Sequence, residues 1–347
     1  MPGAPTPQPD LPQPNLNEIR GLLKDLTGPD GEAGAAAVAH QAQLTKPAGA
    51  LGRLEELAIW LTTWQGRHPP RLERPLTAVF AGNHGIAAQG VSAYPAAVTA
   101  QMVKNFLDGG AAVNQLCGYA DSDLRVYEMA LEEPTADFSE APAMSDADCA
   151  RAMSYGMLAV EDGIDVLMLG EMGIGNTTSA AALCHALFGD AAGDWVGRGT
   201  GIDEARLAHK VALVGASVAR HRDAMTDSLE VLRHLGGLEL AAIAGAILAA
   251  RRAGVPVLLD GYACTAAAAV LHAFNPSALD HCQVAHVSVE PGHGRLLARL
   301  GKRPLLDLDM RLGEGSGAVL ALLLLKAAVE CHTGMATFSQ AGVSGPD

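Results

Sequence analysis

Residues 164–178 read IDVLMLGEMGIGNTT. The run Ile164 to Leu169 is short and continuously apolar, which suits a strand buried on both faces of a parallel sheet. Gly170 opens a polar, glycine-rich turn, and Ser179 to Leu187 is Ala-rich enough to predict a helix. Strand, glycine-rich exit and helix make the repeating unit of an α/β sheet. The unit recurs along the chain. Leu76 to Ala81 (LTAVFA) runs into Gly82-Asn83-His84-Gly85. Val255 to Leu259 (VPVLL) runs into Asp260-Gly261-Tyr262. Val284 to Val289 (VAHVSV) runs into Glu290-Pro291-Gly292-His293-Gly294. With Leu124 to Met129, five candidate strands alternate with helical segments, and the fold class is α/β with a mostly parallel sheet.

Outside this middle section the pattern changes. Asn15 to Leu26, Glu32 to Leu44 and Arg53 to Trp64 read as helices, closed by Pro69-Pro70, and Gly317 to His332 as a long apolar helix. Residues 1–14 read as a mobile Pro-rich tail. The acidic, Pro-bearing stretch Glu132 to Asp148 is expected to be an exposed connection.

Composition narrows the partners. The 347 residues carry 24 Lys plus Arg against 38 Asp plus Glu, a formal charge of −14, and no basic cluster. Nucleic acid is therefore an unexpected partner. Only 3 Trp, 5 Tyr and 6 Phe are present, too few for a base-stacking surface. Apolar runs such as Leu240 to Ala250 and Ala318 to Leu325 fall well short of the ~18–20 residues of a membrane span. The N-terminus lacks a basic region followed by an apolar one, so a cytoplasmic location is expected. Six scattered cysteines without a CxxC pair are expected to be reduced and mostly buried.

In open α/β sheets, ligands sit outside the carboxyl ends of the strands. A tight turn alone would explain the glycines of any one exit. Four exits carrying Asn, His, Glu and Thr as well point to a small-molecule site. Asn176-Thr177-Thr178 is an N-cap signal, and the exposed N–H groups of such a helix suit a phosphate. Gly170 to Gly175 has P-loop glycine spacing, but Asn176 stands where the lysine belongs. After Gly173 and Gly175, Thr178 replaces the third glycine of a dinucleotide fingerprint, so ATP and NAD are disfavoured. Gly197 to Asp203 (GRGTGID) is a second glycine-rich turn, and the helix beyond it carries Lys210, either a phosphate-binding cation or a solvated lysine. In Met310 to Gly317 (MRLGEGSG), Glu314 is either a helix-dipole partner or an acid facing a ligand. His84 and His293, in strand exits, are candidate site residues. His281, Cys282 and His286 lack a zinc-site pattern, and a buried, hydrogen-bonded His286 is the favoured reading.

Together these segments are recognisable. Lys46-Pro47, Gly49 and Leu51 to Ala58 (LGRLEELA) resemble the N-terminal signature of nicotinate-nucleotide–dimethylbenzimidazole phosphoribosyltransferases. GNHGIAAQGVSAYPAAVTAQMV, GEMGIGNTTSAAAL, GRGTGID, PVLLDGY and MRLGEGSGA follow in that family's order, so the resemblance spans Leu44 to His332. It implies transfer of a 5-phosphoribosyl group from nicotinate mononucleotide to 5,6-dimethylbenzimidazole, in making the lower ligand of cobalamin. It implies no cofactor and no metal. The implied fold is a doubly wound α/β domain, 69–317, with a small helical domain from 15–68 and 318–347, working as a homodimer.

By the same resemblance Glu314 matches the family's general base and Glu171 a second acid of the pocket. Gly173, Gly175, Asn176, Thr177, Lys210 and Ser288 match the phosphate surroundings. Gln89 and Met172 match positions lining the base pocket, and Asn83, His84, Gly313 and Gly315 complete the substrate-binding set. Glu314 is under opposed influences, since a helix N-terminus lowers a carboxyl pKa and burial raises it. Ala48 and Ala50 depart from the N-terminal signature. Asn83 stands where many relatives have Asp, and an amide is no base. Two rival readings are a nucleotide-dependent oxidoreductase and a non-catalytic nucleotide-binding regulator.

Overall fold

The computed structural model describes residues 14–345, so nearly all of the expected tail lies outside the described residues. Helices α1 (Leu16–Lys24), α2 (Gly31–Gln41) and α3 (Arg53–Gln65) precede strand β1 (Pro75–Ala81). Helices α4 (Val98–Leu107) and α5 (Ala112–Ala120) lead to β2 (Asp123–Glu128), and α6 (Asp146–Met157) to β3 (Val166–Met172). Then α7 (Asn176–Phe188), α8 (Glu204–His221), α9 (Ser228–Leu235) and α10 (Leu238–Ala253) reach β4 (Val257–Leu259). Helix α11 (Tyr262–Phe274) precedes β5 (Cys282–Val284), and α12 (Pro291–Leu300), α13 (Ser316–Gly334) and α14 (Phe338–Ala341) end the chain.

The five strands are all parallel, in the order β2-β1-β3-β4-β5. The chain steps outward from β1 to β2, then returns across β1 to place β3. That reversal opens a crevice outside the carboxyl ends of β1 and β3. Strand periodicity of two divides the side chains between the faces. Leu76, Ala78, Phe80, Leu167, Leu169, Val257 and Leu259 point into a core with α6, α7, α10 and α11. Val79, Val166, Met168 and Leu258 point into the other core, with α3, α5 and α13. Both faces are covered, as the continuous apolar runs require.

Each of the five expected strands is present, with differences. Strand β3 starts at Val166 and runs on to Met172, so Gly170 lies within the strand and does not open the turn, and β4 starts two residues later than expected. Strand β2 is an edge, and its Asp123 and Arg125 are exposed rather than buried. The β5 ladder stops at Val284, so residues 286–290 run on as a loop, with His286 bridging to Leu306. Helix α7 begins at Asn176, capped by Gly175 at φ 102°, so residues 176–178 are its first turn and not its side-chain cap. The stretch 132–148 is only partly exposed. Phe138, Ala143 and Met144 are buried, and the Ala143 N–H donates to His234 O at 3.0 Å.

Of the segments expected in a small helical unit, α1 buries Leu16, Ile19 and Leu23 in the main core. Its Arg20 pairs with Asp227 at 2.7 Å and Glu230 at 2.9 Å. Helices α2 and α3 pack on each other, α3 packs on α13, and a Leu44–Thr337 bridge ties the two ends of the chain. By length and composition α13 could cross a membrane. It instead places Val319, Leu322 and Leu325 in the second core, as a central helix does. All six cysteines are free and only Cys331 is not buried. Truncating the fully buried Leu322 to Ala is expected to cost about 2–5 kcal/mol, from lost burial plus the cavity left behind. Urea unfolding should show a lower midpoint at unchanged slope.

Candidate functional site

The site is built on a backbone contact. A side chain at Gly170, in β3, would put its Cβ 2.3 Å from the Gly315 nitrogen, so only glycine lets the 313–317 turn lie against the strand. The Glu314 N–H donates to Glu171 O at 3.2 Å across this contact. Both acids thereby line one cavity of about 560 Å³ at the carboxyl ends of the strands. Glu314 has φ 66°, a left-handed conformation costly for a residue with a side chain. Such strain, where it persists, is held by its surroundings.

The cavity has two characters. Val91, Val98, Met102, Met172 and Leu312, with Tyr94, give it an apolar lining from the segment after β1, from α4, from the end of β3 and from the 309–313 loop. Asn176, Thr177, Ser288 and Glu290 supply polar lining. The rim is tied together, as Ser92 Oγ meets Thr200 Oγ1 at 3.0 Å and Arg311 donates to Gly199 O at 3.1 Å. Beneath Thr177 lies Lys210, fully buried, donating to Thr177 Oγ1 at 2.9 Å and Gly197 O at 3.2 Å. No carboxylate pairs with it among the described residues. Burial lowers its pKa to about 8.

The carboxyls respond to the same burial. Glu314 is raised to about 7 by burial and then by the charge of Asp260, so the helix N-terminus loses the contest. Glu171, which accepts from Asn176 Nδ2, is raised well above the usual carboxyl range by burial, then by Asp260 and Glu239. Two acids that resist ionisation in one cavity mark a functional site.

Of the residues expected here, Glu171, Met172, Gly173, Gly175, Asn176, Thr177, Ser288, Gly313 and Glu314 line the cavity. Lys210 and Gly315 stand behind its wall. Asn83, His84 and Gln89 do not line it. Asn83 Nδ2 donates to Leu131 O at 2.9 Å, and Gln89 Nε2 to Asp137 Oδ2 at 2.6 Å. His84 is buried a layer deeper, with Nε2 2.6 Å from Glu239 Oε1 and Nδ1 3.0 Å from Ser179 Oγ. His293 is also internal. Burial lowers it to about 3, so it is neutral, accepting from Ser288 N–H through Nδ1 at 2.8 Å. His286, read as a buried, hydrogen-bonded core residue, is buried but lines the cavity. No group of side chains fit to hold a metal ion occurs among the described residues.

Sequence reasoning gave no role to Glu290, Arg311 or, beyond Met172, the apolar wall. Glu290 accepts from Gly199 N–H at 2.9 Å and so pins the GRGTGID turn to the β5 exit. Its place at a strand exit was the available signal. A second cavity, about 540 Å³, opens beside β2 and is lined by Met129, Met144, Tyr155 and Leu238 among others. It is of similar size, but the glycines of the 170–175, 197–201 and 313–317 turns and both shifted acids lie at the first.

A family model described as Phosphoribosyltransferase matches residues 26–343. A Rhizobium etli protein named nicotinate-nucleotide–dimethylbenzimidazole phosphoribosyltransferase is 59% identical over 330 residues, covering 95% of this chain and 97% of the relative. The chain belongs to this family. A Methylocella silvestris protein of the same name is 58% identical over 330 residues, covering 95% of this chain and 97% of that one. The crystal structure of CobT from Thermus thermophilus superposes with a TM-score of 0.84 at 44% identity, over 91% of this chain and all of that one. The chain is therefore an enzyme, a phosphoribosyltransferase, with the doubly wound α/β fold. The match takes in every loop around the cavity. Neither an oxidoreductase nor a silent regulator is supported.

A stability test follows from Glu314. Its folded pKa of about 7 lies above that of an unfolded carboxyl, so the folded state binds the extra proton. The contribution is fully present below the unfolded pKa and is lost as pH rises through about 7. Glu314→Gln, neutral throughout, should therefore melt higher than the parent at pH 8, and the gap should close toward about pH 4.5, near the unfolded carboxyl's pKa. A calorimetric series showing no pH-dependent gap would contradict this.

Proposed function

We propose that the cavity takes nicotinate mononucleotide and 5,6-dimethylbenzimidazole and gives α-ribazole 5′-phosphate and nicotinate, a step toward the lower ligand of cobalamin. The observation that carries this reading is the convergence of Glu171 and Glu314 on a cavity whose wall at Thr177 is backed by the buried Lys210. The family relatives named for this reaction support it.

The donor phosphate belongs at the N-terminal turn of α7, where Thr177 and Lys210 meet and the helix dipole favours an anion. A buried ammonium whose hydrogen bonds go to neutral oxygens, with Glu290 its only opposing charge beyond salt-bridge distance, is costly to keep, and a phosphate reduces the cost. The acceptor ring belongs against Val98, Met102, Met172 and Leu312, with its N–H turned to Glu314. The pyridinium of the donor leaves without acid assistance, taking the electron pair of its N–C1′ bond. The acceptor's other ring nitrogen forms the new bond at C1′ from the opposite face, so β becomes α. Glu314 takes the proton released from the acceptor N–H. A carboxylate with a pKa near 7 is a better base than an ordinary one and is still ionised in useful amount at neutral pH.

This enzyme works, in our reading, as a cytoplasmic homodimer. Tyr94 and Leu312, which line the cavity, are each 56% exposed, and a second copy would cover them. The resemblance further supports a small helical domain, 15–68 with 318–347, beside the catalytic domain 69–317.

Incubation with both substrates, followed by chromatography, should show nicotinate release that depends on the acceptor. Absence of acceptor-dependent release would sink the assignment. Glu314→Gln should lower kcat by about 10²–10⁴-fold with little change in donor KM. The parent's kcat/KM should rise with pH through about 7, and the variant should lack that limb. Lys210→Met should instead raise donor KM, by roughly ten- to a hundred-fold, for the loss of a charged hydrogen bond to phosphate.

A further inference from the structure

Directly beneath Glu314 sits a pair of side chains from two other strand exits. Asp260, following β4, is fully buried. One of its oxygens accepts from Gly315 N–H at 3.0 Å; the other accepts from Gly317 N–H at 2.8 Å and Ala318 N–H at 3.1 Å. All three donors belong to the turn that follows Glu314 and opens α13. His286, beyond β5, is also buried, and its Nε2 lies 3.4 Å from Asp260 Oδ1. Its Nδ1 is 3.2 Å from Val287 O, the geometry of a donor, while Nε2 has no hydrogen-bond partner of good geometry. The packing is tight, as a Cβ at Gly317 would fall 2.1 Å from His286 Cδ2.

A carboxylate this deep needs compensation. Three amides and the positive end of a long helix supply part of it, and an imidazolium at His286 would supply the rest. We propose that Asp260 and His286 are positioning residues for the transfer: Asp260 holds the turn so that the strained Glu314 faces the acceptor and sharpens it as a base, and His286 limits that effect by balancing Asp260's charge. This rests on Glu314 being the base. Burial lowers the His286 pKa, but the close approach and charge of Asp260 outweigh it and the net shift is upward. The charged groups around Glu314 are Asp260 from the β4 exit, Glu171 from β3, His286 from beyond β5 and Arg311 from its own loop. Glu239, on α10, acts on Glu171. His286 is faced by Asp260 and by the ring of His293, 6.3 Å away.

The two residues pull Glu314 in opposite directions, which a merely structural role would not do. The test is the pH profile of kcat/KM for acceptor-dependent nicotinate release by the parent, Asp260→Asn and His286→Gln. The acid limb should move down by about one pH unit or more in Asp260→Asn, where a like charge is lost. It should move up in His286→Gln, where that charge is left uncompensated. Limbs coinciding with the parent's, with kcat uniformly lowered, would make Asp260 a structural cap only and overturn the proposal. If Asp260→Asn does not fold by circular dichroism, His286→Gln decides alone, and an unmoved or lowered limb overturns it. A parent without acceptor-dependent release would instead remove the underlying assignment, and this proposal with it.

Discussion

The catalytic half of this molecule depends on two backbones being able to touch. Strand β3 at Gly170 and the turn at Gly315 come closer than any Cβ would permit. From that approach follow the Glu314–Glu171 backbone hydrogen bond, the shared cavity and the strained setting of Glu314. These two glycines, far apart in sequence, act as one element of structure, because the parallel sheet lays every strand exit on the same edge. Helix α13 then fixes the turn from behind, with one end in the site and its apolar body in the second core.

The electrostatics is local and opposes the bulk. A chain of charge −14 still buries one ammonium whose hydrogen bonds go only to a hydroxyl and a carbonyl, and it gathers the buried Glu171, Glu314 and Asp260 close together. Like charges so close cannot all ionise cheaply. Burial raises both glutamates, and the hydrogen bonding of the three differs. Asp260 receives three backbone N–H groups and Glu171 one side-chain amide, while the carboxyl oxygens of Glu314 accept from no donor among the described residues. The carboxyl with the fewest donors is the one left able to exchange a proton with a ligand.

The sheet was legible because its strands are buried on both faces and so leave continuous apolar runs. For β2 the expectation of burial failed, since it is an edge with Arg125 and Glu128 exposed. The run VAHVSV overstated β5, since β4 offers only three residues for pairing and the ladder ends with it. Placing loop residues proved harder. His84 follows β1 much as Glu171 closes β3, yet it turns inward to Glu239, 155 positions away, and no local pattern encodes that partner. The role of Asp260 was equally hidden, because the amides it serves lie 55 to 58 residues downstream. Motif resemblance could name Glu314 and Lys210; it could not say how each is electrostatically prepared.

The two margins of the sheet carry a consequence for assembly. At one, β2 presents Asp123, Arg125 and Glu128, charges that discourage a foreign strand. At the other, β5 is three residues long, and Leu305 and Leu306 already donate to Val284 O and Ala285 O at 3.0 and 2.9 Å. Neither margin can be extended by another chain without giving up bonds or confronting charge. Any self-association must therefore be made by helix and loop surfaces, and it leaves the sheet a closed internal frame.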